Sequence, residues 1–480
     1  MPAFQTSPGM RDLLPEQSAR WRRLQGVFAD VVGAAGYGQI MTPLLEDIGV
    51  FARIGDATDV VTKEMYDFRD RGDRHVALRP EMTASVCRAY AQHRPTPPWK
   101  VWYSGSNFRY EKPQRGRFRQ FDQVGVEVLG VDDAHLDVEV IALAHEFYRR
   151  LGLRRVTLVV NSLGEPEDRA RYVEALRTHF AGAQLGEQSR QTLERNPLRV
   201  LDSKRDVDVE AISTAPTIGE FLSDAAAEHF ETVRSGLDRL GIEATVEAKL
   251  VRGLDYYRRT IFEFQGGTLD SAQNALGGGG RYDGLVEALG GPPTPGIGFA
   301  LGVDRTLLAC DDEGVFGPDE RPLDAFVVDV VGGGEAVEVT AALRAAGLSA
   351  DRAYDGRSMK AQMKLANRSG ASHAVIVGPD ELASGTVVVK PMSRDSGEQR
   401  VVARSELVGH LAASLRVDLA GAASPSIGAP AVAGPDDGAR TRGTATSGTA
   451  TPGTSTPDAR AGDTAGPGPS APDDTKDDER

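Results

Sequence analysis

The chain has 480 residues, 40% of them hydrophobic and 26% charged, and a formal net charge of −14. This length exceeds what a single hydrophobic core supports, so two or three domains are expected. The apolar and charged fractions are those of a soluble globular protein, and the absence of any run of eighteen apolar residues excludes a membrane-spanning helix.

The start of the chain, the cysteines and the histidines bear on location and on metal binding. The first residues, MPAFQTSPGMRDLLPEQS, lack a basic region followed by an apolar stretch, so no secretory signal is predicted. Cys87 and Cys310 lie far apart and form no CxxC pair, which favours reduced thiols in a cytosolic protein. The eight histidines show no metal-ligand spacing, so no metal site is predicted.

Helix and hairpin patterns follow one another in the first part of the chain. A helix is predicted from Pro15 to near Gly36, because its apolar residues recur on one face. These residues are Trp21, Leu24, Phe28 and Val31. The stretch MYDFRDRGDRHVALRPE predicts a hairpin that turns at Asp70–Asp73.

Two further strands, VWYSGSNFRY and FRQFDQVGVEVLG, are predicted to flank a basic loop. Between Phe108 and Gln120 five basic residues stand against the single acid Glu111, a net charge of +4 (five minus one) on an acidic chain. The five are Arg109, Lys112, Arg115, Arg117 and Arg119. A solvated surface loop and a loop that faces phosphates are both compatible with this composition.

The pattern becomes helical at about residues 164–241 and then returns to strands at ATVEAKL and TIFEF. This order predicts an α+β domain, residues 1–318, built on an antiparallel sheet with a helical insertion. Alternating strand and helix signals then predict a C-terminal α/β domain, 319–418, with a mostly parallel sheet. Residues 419–480 are rich in Ala, Gly, Pro, Ser and Thr and contain no aromatic residue, which predicts a disordered tail of unassigned function.

Four distant segments place arginines or carboxylates beside glycines or at strand ends, where backbone can approach a ligand closely. They are LRPEMTA, FRYEKPQRGRFRQFDQVGVEVLG, the pair LVRGLDYY and NALGGGGRYDGL, and GIGFALGVDRTLL. The four consecutive glycines match neither GxxxxGK[ST] nor GxGxxG opening a helix, so neither a P-loop nor a Rossmann site is predicted. Taken singly, each residue also has an ordinary interpretation as a surface charge, a core aromatic or a loop glycine.

Together these segments resemble the class II aminoacyl-tRNA synthetases. GYGQIMTPLLED resembles motif 1 of that class, the arginine-bearing strand–loop–strand resembles motif 2, and GIGFALGVDR resembles motif 3. LVRGLDYY and GGGGRYDGL resemble the two signatures of the histidyl-tRNA synthetase family, and the likeness extends to about residue 418. Two alternatives stay open: a regulatory paralogue that has lost catalysis, and a class II enzyme for proline or threonine.

The resemblance implies a cytoplasmic, homodimeric ligase whose C-terminal domain binds the anticodon. Such an enzyme joins L-histidine to ATP, with Mg²⁺, and passes the histidyl group to tRNA(His). The family pattern implies that Arg109, Arg252 and Arg305 are catalytic and bind ATP, with Arg305 also stacking on adenine. It places Arg117 near the phosphates and Glu111 near the adenine. Arginine suits this task because its planar fork matches phosphate oxygens.

For the amino acid, the resemblance implies a set that pairs both the ammonium group and the imidazole ring. The set consists of Glu81, Met82, Thr83, Arg109, Gln123, Glu127, Arg252, Tyr256 and Tyr257. Two acids beside one small ligand are costly unless a cation lies between them, and the histidine ammonium supplies it. From its spacing, Asp255 is expected to orient Arg252 or a neighbouring backbone group. In the basic loop, Gln114, Arg115 and Arg119 are implied contacts of the tRNA acceptor end.

Overall fold

The computed structural model describes residues 4–53, 63–267, 269, 274–318, 323–392 and 398–415. The predicted tail, 419–480, lies outside the described residues. The chain divides into two compact units, the second of which begins at Leu323. No helix among the described residues is long and apolar enough to cross a membrane.

The first unit contains ten α-helices within the described ranges. They are α1 (Pro15–Ala34), α2 (Ile48–Ala52), α3 (Thr83–His93), α4 (Ala134–Arg150), α5 (Pro166–Ala181), α6 (Glu187–Arg195), α7 (Val209–Ser213), α8 (Asp224–Arg239), α9 (Leu285–Ala288) and α10 (Val303–Glu313). Three short 3₁₀ turns lie between α6 and α8, at Pro197–Asp202, Asp206–Asp208 and Ile218–Glu220. The predicted first helix is confirmed, and Leu24, Phe28 and Val31 are buried as its pattern indicated.

The strands of the first unit form two sheets. They are β1 (Gly38–Gln39), β2 (Leu45–Asp47), β3 (Tyr66–Arg69), β4 (His75–Leu78), β5 (Trp99–Phe108), β6 (Gln120–Leu129), β7 (Val156–Ser162), β8 (Ala244–Val246), β9 (Arg258–Gly266), β10 (Ala275–Arg281) and β11 (Gly296–Gly302). A small antiparallel sheet has the order β2-β4-β3, and its β3–β4 pairing confirms the predicted hairpin.

The large sheet has the order β1-β5-β6-β11-β10-β9-β7-β8. Its five central pairings are antiparallel and only the outer pairs β1–β5 and β7–β8 are parallel, which confirms the predicted antiparallel architecture. Its main core includes Phe28 of α1, Phe147 of α4 and Phe299 of β11. The rings of Phe28 and Phe147 meet edge to face with centroids 5.2 Å apart, a favoured geometry that adds specificity to simple burial.

The four consecutive glycines lie inside strand β10 rather than in a loop. A Cβ atom added to Gly279 would lie 1.9 Å from the carbonyl oxygen of Gly298 on the adjacent strand β11. Only glycine permits this separation of the two strands. The glycines therefore bring the backbones of β10 and β11 close together under the site described below.

The helical insertion has a small core of its own, formed by α5, α6, α7 and the 3₁₀ turns. Tyr172, Leu176 and Leu198 are buried in it. Helix α8, which falls within the range 164–241, instead packs on the large sheet, because Val233 and Leu237 belong to the main core. The insertion with a separate core thus ends before α8.

The second unit, from Leu323, is an α/β domain. Its elements are β12 (Ala325–Asp329), α11 (Gly334–Ala345), β13 (Ala350–Arg352), α12 (Met359–Arg368), β14 (His373–Val377), α13 (Pro379–Ser384), β15 (Thr386–Pro391), β16 (Arg400–Ala403) and α14 (Leu407–Leu415). The sheet order is β13-β12-β14-β15-β16.

The prediction of a mostly parallel sheet in this unit is wrong. β12 pairs in parallel with β13 and β14, but β14–β15 and β15–β16 are antiparallel. A parallel crossover needs about a dozen residues or more. Only residues 378–385 connect β14 to β15, so the chain returns as an antiparallel neighbour.

Candidate active site

A cavity of about 250 Å³ opens on one face of the large sheet in the first unit. Its walls come from β6, β10, β11, the start of α10 and the loop that precedes β9. Arg109, Arg252 and Arg305 all line it, although they come from three distant parts of the sequence. The predicted convergence of these guanidinium groups in one cavity is therefore present.

The Arg252 side chain is held by a carboxylate on strand β9. Its Nη1 donates to Glu263 Oε2 at 2.5 Å, from β9, and both side chains are largely buried, with 18% and 16% exposed. Its Nε is buried and has no hydrogen-bond partner among the described residues. A Cβ at Gly278 would lie 3.1 Å from the Arg252 guanidinium carbon, so a glycine in β10 makes the room in which this group lies.

Asp255 is expected to orient Arg252 or a neighbouring backbone group, and of these two a contact with Arg252 is not found among the described residues. The Asp255 carboxylate instead accepts hydrogen bonds from Asn196, at 2.9 Å, and from Arg199, at 3.4 Å, in the helical insertion. The carboxylate that orients Arg252 is Glu263, eleven residues further along the chain. Glu263 lies on β9, which pairs with β10 in the centre of the sheet. This strand pairing brings Glu263 next to Arg252. The spacing of residues in the loop did not indicate this contact.

The other two arginines are held by backbone carbonyls. Arg109 Nε donates to the Pro80 oxygen at 2.9 Å, and Arg305 Nη1 donates to the Ala275 oxygen at 2.8 Å. A carbonyl orients a guanidinium without neutralising it. Burial lowers the pKa of Arg305, and the neighbouring charges of Arg117 and Arg109 lower it further. This end of the cavity is therefore a region of excess positive charge, suited to a polyanion.

Glu111 and Arg117 form an ion pair at the wall of the same region. Burial opposes ionisation of Glu111, but the hydrogen bond and the charge of Arg117 together lower the pKa of this carboxyl. The same hydrogen bond raises the pKa of Arg117. Both side chains line the cavity, so the pair adds a directed carboxylate beside the arginines.

Two buried carboxylates, Glu81 and Glu127, form an acidic region: Glu81 lines the cavity, whereas Glu127 is fully buried and is not among the described residues that line it. Glu81 accepts from the backbone N–H groups of Thr83 and Ala84, both at 2.7 Å, at the first turn of α3. Burial raises the pKa of Glu81 and raises the pKa of Glu127 to about 8, against the hydrogen bonds that Glu127 accepts. Two acids in so little water favour a cationic ligand between them.

Glu127 is surrounded by three hydroxyl donors, two of which the sequence patterns did not single out. Its Oε1 accepts from Thr83 Oγ1 at 2.7 Å and from the Tyr103 hydroxyl at 3.1 Å, and its Oε2 accepts from the Tyr282 hydroxyl. Tyr282 lies in the GGGGRYDGL segment, so that motif could have indicated its place in the site. No sequence feature indicated Tyr103, because its position in β5 has the spacing of an ordinary core residue.

The remaining predicted histidine contacts are divided between the cavity and the core. Tyr256 and Tyr257 line the cavity, with ring centroids 4.6 Å apart and an interplanar angle of 50°. Gln123 also lines it, and its side-chain oxygen accepts from Asn107 at 2.9 Å. The Met82 side chain does not line it; it is 2% exposed and packs in an apolar cluster.

Gln114, Arg115 and Arg119 are not among the described residues that line the cavity. They lie on the loop between β5 and β6, where the backbones of Gln114 and Arg117 form an isolated antiparallel bridge. The Arg115 side chain is 70% exposed, and its Nη2 lies 3.0 Å from Oδ1 of Asp312 in α10. Arg119 stacks on Tyr110, 3.8 Å from its ring centroid. The loop thus presents basic side chains at the rim.

The raised pKa of Glu127 predicts a pH dependence of stability. Between the unfolded carboxyl pKa and about 8, the folded protein holds a proton that the unfolded chain has released. Raising the pH through this range therefore lowers the free energy of unfolding, by at most about 1.4 kcal/mol per pH unit for one proton. Urea unfolding of the wild type should show this decline relative to Glu127→Gln, which has no such proton. Parallel profiles would contradict the assignment.

Comparison with known proteins gives a consistent result. A family model described as histidyl-tRNA synthetase matches residues 9–306, and one described as anticodon binding domain matches residues 325–414. The histidine–tRNA ligase of Nocardia farcinica is 48% identical over 86% of this chain and 99% of its own length. That of Geobacillus kaustophilus is 46% identical over 85% and 98%. The crystal structure of the apo histidyl-tRNA synthetase of S. aureus superimposes with a TM-score of 0.72 at 37% identity, covering 85% of this chain and 100% of that one.

Proposed function

Because this chain belongs to the histidyl-tRNA synthetase family and is a ligase that charges tRNA with histidine, we propose that the cavity described above is its active site. The observation that carries the proposal is the arrangement of charge within one cavity. Arg109, Arg252 and Arg305 line it together with Glu81, and the fully buried Glu127 lies behind its wall, where it accepts from the lining residues Thr83 and Tyr282. The guanidinium groups can meet a triphosphate, and the carboxylates can meet an amino acid that carries an ammonium group.

At the cationic end, the histidine carboxylate attacks the α-phosphorus of ATP. A bond forms from the carboxylate oxygen to phosphorus, the bond to the bridging oxygen breaks, and pyrophosphate leaves with its electron pair. Arg109 and Arg252 act on the α-phosphate, and Arg305 acts on the γ-phosphate and stacks on adenine. Such transfer depends on positioning and on fixed cations more than on covalent chemistry by the protein.

The metal ion of the reaction is proposed to enter with its substrate, as MgATP. Within the described ranges, no group of three or more metal-ligating side chains is found. The carboxylate of Glu111, at the phosphate end, is already occupied by Arg117. On this proposal the phosphate oxygens would hold Mg²⁺, and the arginines would neutralise the charge that remains.

At the acidic end, Glu81, Thr83 and Gln123 are proposed to hold the α-amino group, and Glu127 with the tyrosine pair to contact the imidazole. Imidazole presents two ring nitrogens, and a site that pairs both rejects ligands that lack either. We leave Met82 out of this set because its side chain lies in the core. In the second step, a ribose hydroxyl of the tRNA terminus attacks the acyl carbon and AMP leaves, which forms the ester.

The test is ATP–pyrophosphate exchange driven by each of the twenty amino acids in turn. The proposal requires exchange with histidine. Exchange with proline or threonine alone would identify a different class II enzyme, and no exchange with any amino acid would favour the regulatory paralogue. A paralogue of that kind typically lacks the arginine of LVRGLDYY and the C-terminal domain, whereas this chain has Arg252 in the cavity and a match over residues 325–414.

The exposed basic loop is proposed to contact the tRNA acceptor end, which gives a prediction for Arg115. Because its side chain is 70% exposed and outside the cavity, Arg115→Ala should weaken aminoacylation at limiting tRNA while ATP–pyrophosphate exchange stays normal. One lost phosphate contact also makes binding less salt-dependent. The matched variant is Asp312→Asn, which removes the ion-pair partner of Arg115 and leaves the cation in place. Equal loss of both activities in Arg115→Ala would contradict this division of roles.

Two further properties are proposed from the family. A homodimer is supported by apolar side chains exposed in the GYGQIMTPLLED segment, where Met41, Leu44 and Leu45 are 82%, 48% and 45% exposed. Sedimentation equilibrium must then give twice the chain mass. A cytoplasmic location is supported by Cys87 and Cys310, both of which are unpaired and buried; finding the protein outside the cytoplasm on cell fractionation would contradict it.

A further inference from the structure

The loop that carries Arg252 is attached to the helical insertion on both sides of that arginine. Val251, one residue before it, is buried in the apolar core of the insertion beside Leu198 and Val200. Asp255, three residues after it, is held by polar side chains of the same insertion. None of the described residues that line the cavity comes from residues 164–241. The insertion therefore reaches the wall of the cavity through this loop.

The polar attachment consists of four residues, which we call the latch: Asp255, Asn196, Arg199 and Arg169. Asp255 Oδ1 accepts from Asn196 Nδ2 at 2.9 Å and from Arg199 Nη2 at 3.4 Å. The Asp255 carbonyl oxygen accepts from Arg169 Nη1 at 2.9 Å. Asp255 and Arg199 are each 19% exposed and Arg169 is 26% exposed. Charge-assisted hydrogen bonds so shielded from water are stronger than surface ion pairs.

The latch is built on rigid elements of the insertion. Asn196 ends α6, and its side-chain oxygen accepts from the Leu198 N–H at 3.2 Å, which caps the next 3₁₀ turn. With its oxygen engaged, the amide must direct its nitrogen at Asp255. Arg169 comes from a different helix, α5. Two helices and one 3₁₀ turn therefore hold Asp255, so the position of the Arg252 loop is tied to the position of the insertion.

Asp202 supports the same turn. It ends the 3₁₀ turn that contains Arg199, and its Oδ2 lies 3.6 Å from Arg199 Nη1, with the Asp202 side chain 50% exposed. A second carboxylate therefore faces the arginine that holds Asp255.

We propose that Asp255 is a positioning residue that clamps the Arg252 loop to the helical insertion, so that the placement of the catalytic guanidinium depends on where the insertion sits. This inference rests on the proposed function, since it assigns Asp255 to the adenylation step. It also gives a route by which Asp255 can orient Arg252 without touching it, namely through the loop that both residues share.

The first test compares Asp255→Ala, Asn196→Ala and the double variant in histidine-dependent ATP–pyrophosphate exchange. Small misplacement of a catalytic group costs up to about 100-fold in rate, so each single variant should lower kcat by about 10- to 100-fold with KM for histidine little changed. The double variant should lose no more than the worse single one, because both break one latch. Asp255→Asn retains an acceptor oxygen and should recover part of the rate.

The second test separates positioning from a general loss of structure. In an Arg252→Lys background, Asp255→Ala should have almost no further effect on kcat, because its influence acts through the replaced side chain. Its effect on the melting temperature should be the same in both backgrounds. The control is Glu220→Gln, which weakens another cap of the insertion, where Glu220 accepts from the Thr217 N–H at 2.8 Å; it should behave as wild type.

The outcomes distinguish this inference from the proposed function. No histidine-dependent exchange by the wild type would overturn the function itself. An active wild type with a normal kcat for Asp255→Ala would overturn the latch alone. So would an equal loss of kcat on introducing Asp255→Ala into the wild-type and Arg252→Lys backgrounds.

Discussion

Replacement of Arg252 by alanine is expected to reduce histidine-dependent ATP–pyrophosphate exchange by about 10²- to 10³-fold, the usual cost of removing one preorganised group that stabilises a transition state. The guanidinium lies in the cavity on an ion pair with Glu263 at 2.5 Å. Its buried Nε has no partner among the described residues, so one donor of this guanidinium is unsatisfied in the free protein. On the proposed binding of ATP, the variant removes one of the two fixed cations assigned to the α-phosphate.

The single variant also leaves the Glu263 carboxylate, only 16% exposed, without its partner and close to the incoming triphosphate. An unpaired buried charge destabilises the fold and repels phosphate. The variant Arg252→Ala combined with Glu263→Gln removes this second effect. We expect the double variant to melt like the wild type and to remain strongly impaired. Near-normal exchange in either variant would show that the Arg252–Glu263 ion pair is structural and that Arg252 does not act in the activation step.

Replacement of Gly298 by alanine is expected to abolish histidine activation almost completely. The added Cβ would lie 1.8 Å from Glu127 Oε2 and 2.3 Å from the Val126 carbonyl oxygen. The carboxylate and the strand backbone must both move, and overpacking of this kind costs about 1–3 kcal/mol or more. Displaced, Glu127 also leaves the buried hydroxyls of Tyr103 and Tyr282 without their acceptor.

Gly302→Ala, in the same strand, provides the stability control. Its Cβ would lie 3.4 Å from the Leu276 oxygen, an ordinary contact, so its melting temperature should stay close to that of the wild type. For Gly298→Ala we expect a markedly lower melting temperature and exchange that does not recover at saturating histidine. A Gly298→Ala variant with wild-type stability and activity would show that Glu127 and β11 are not packed as described.

Much of the fold follows from local patterns. The apolar stripe of α1, the β3–β4 hairpin and the β5–loop–β6 unit all lie where periodicity and turn residues place them. Local sequence patterns did not predict contacts between elements that are far apart in the chain. Helix α8 reads as part of the insertion but packs on the large sheet, because helical periodicity reveals which face is apolar and not what will cover it.

Of the candidate site, the sequence alone determined which side chains carry charge and which glycines allow close approach. The resemblance of its motifs to those of the histidyl-tRNA synthetases then implied the roles of the three arginines and the two acids. The sequence could not indicate the pairing of Arg252 with Glu263, the attachment of Asp255 to the insertion, or the hydroxyls of Tyr103 and Tyr282 around Glu127.

All of these contacts were decided by the tertiary structure, and for those around Glu127 the physical reason is strand register. Gly298 of β11 pairs with Glu127 of β6, and on the other side of β6 Tyr103 of β5 pairs with Gly125. A shift of one residue would turn each of these side chains to the opposite face of the sheet. The register of two strands depends on hydrogen bonds and side-chain packing along their whole length. That register decides which side chains meet in the cavity, and a short sequence motif does not contain this information.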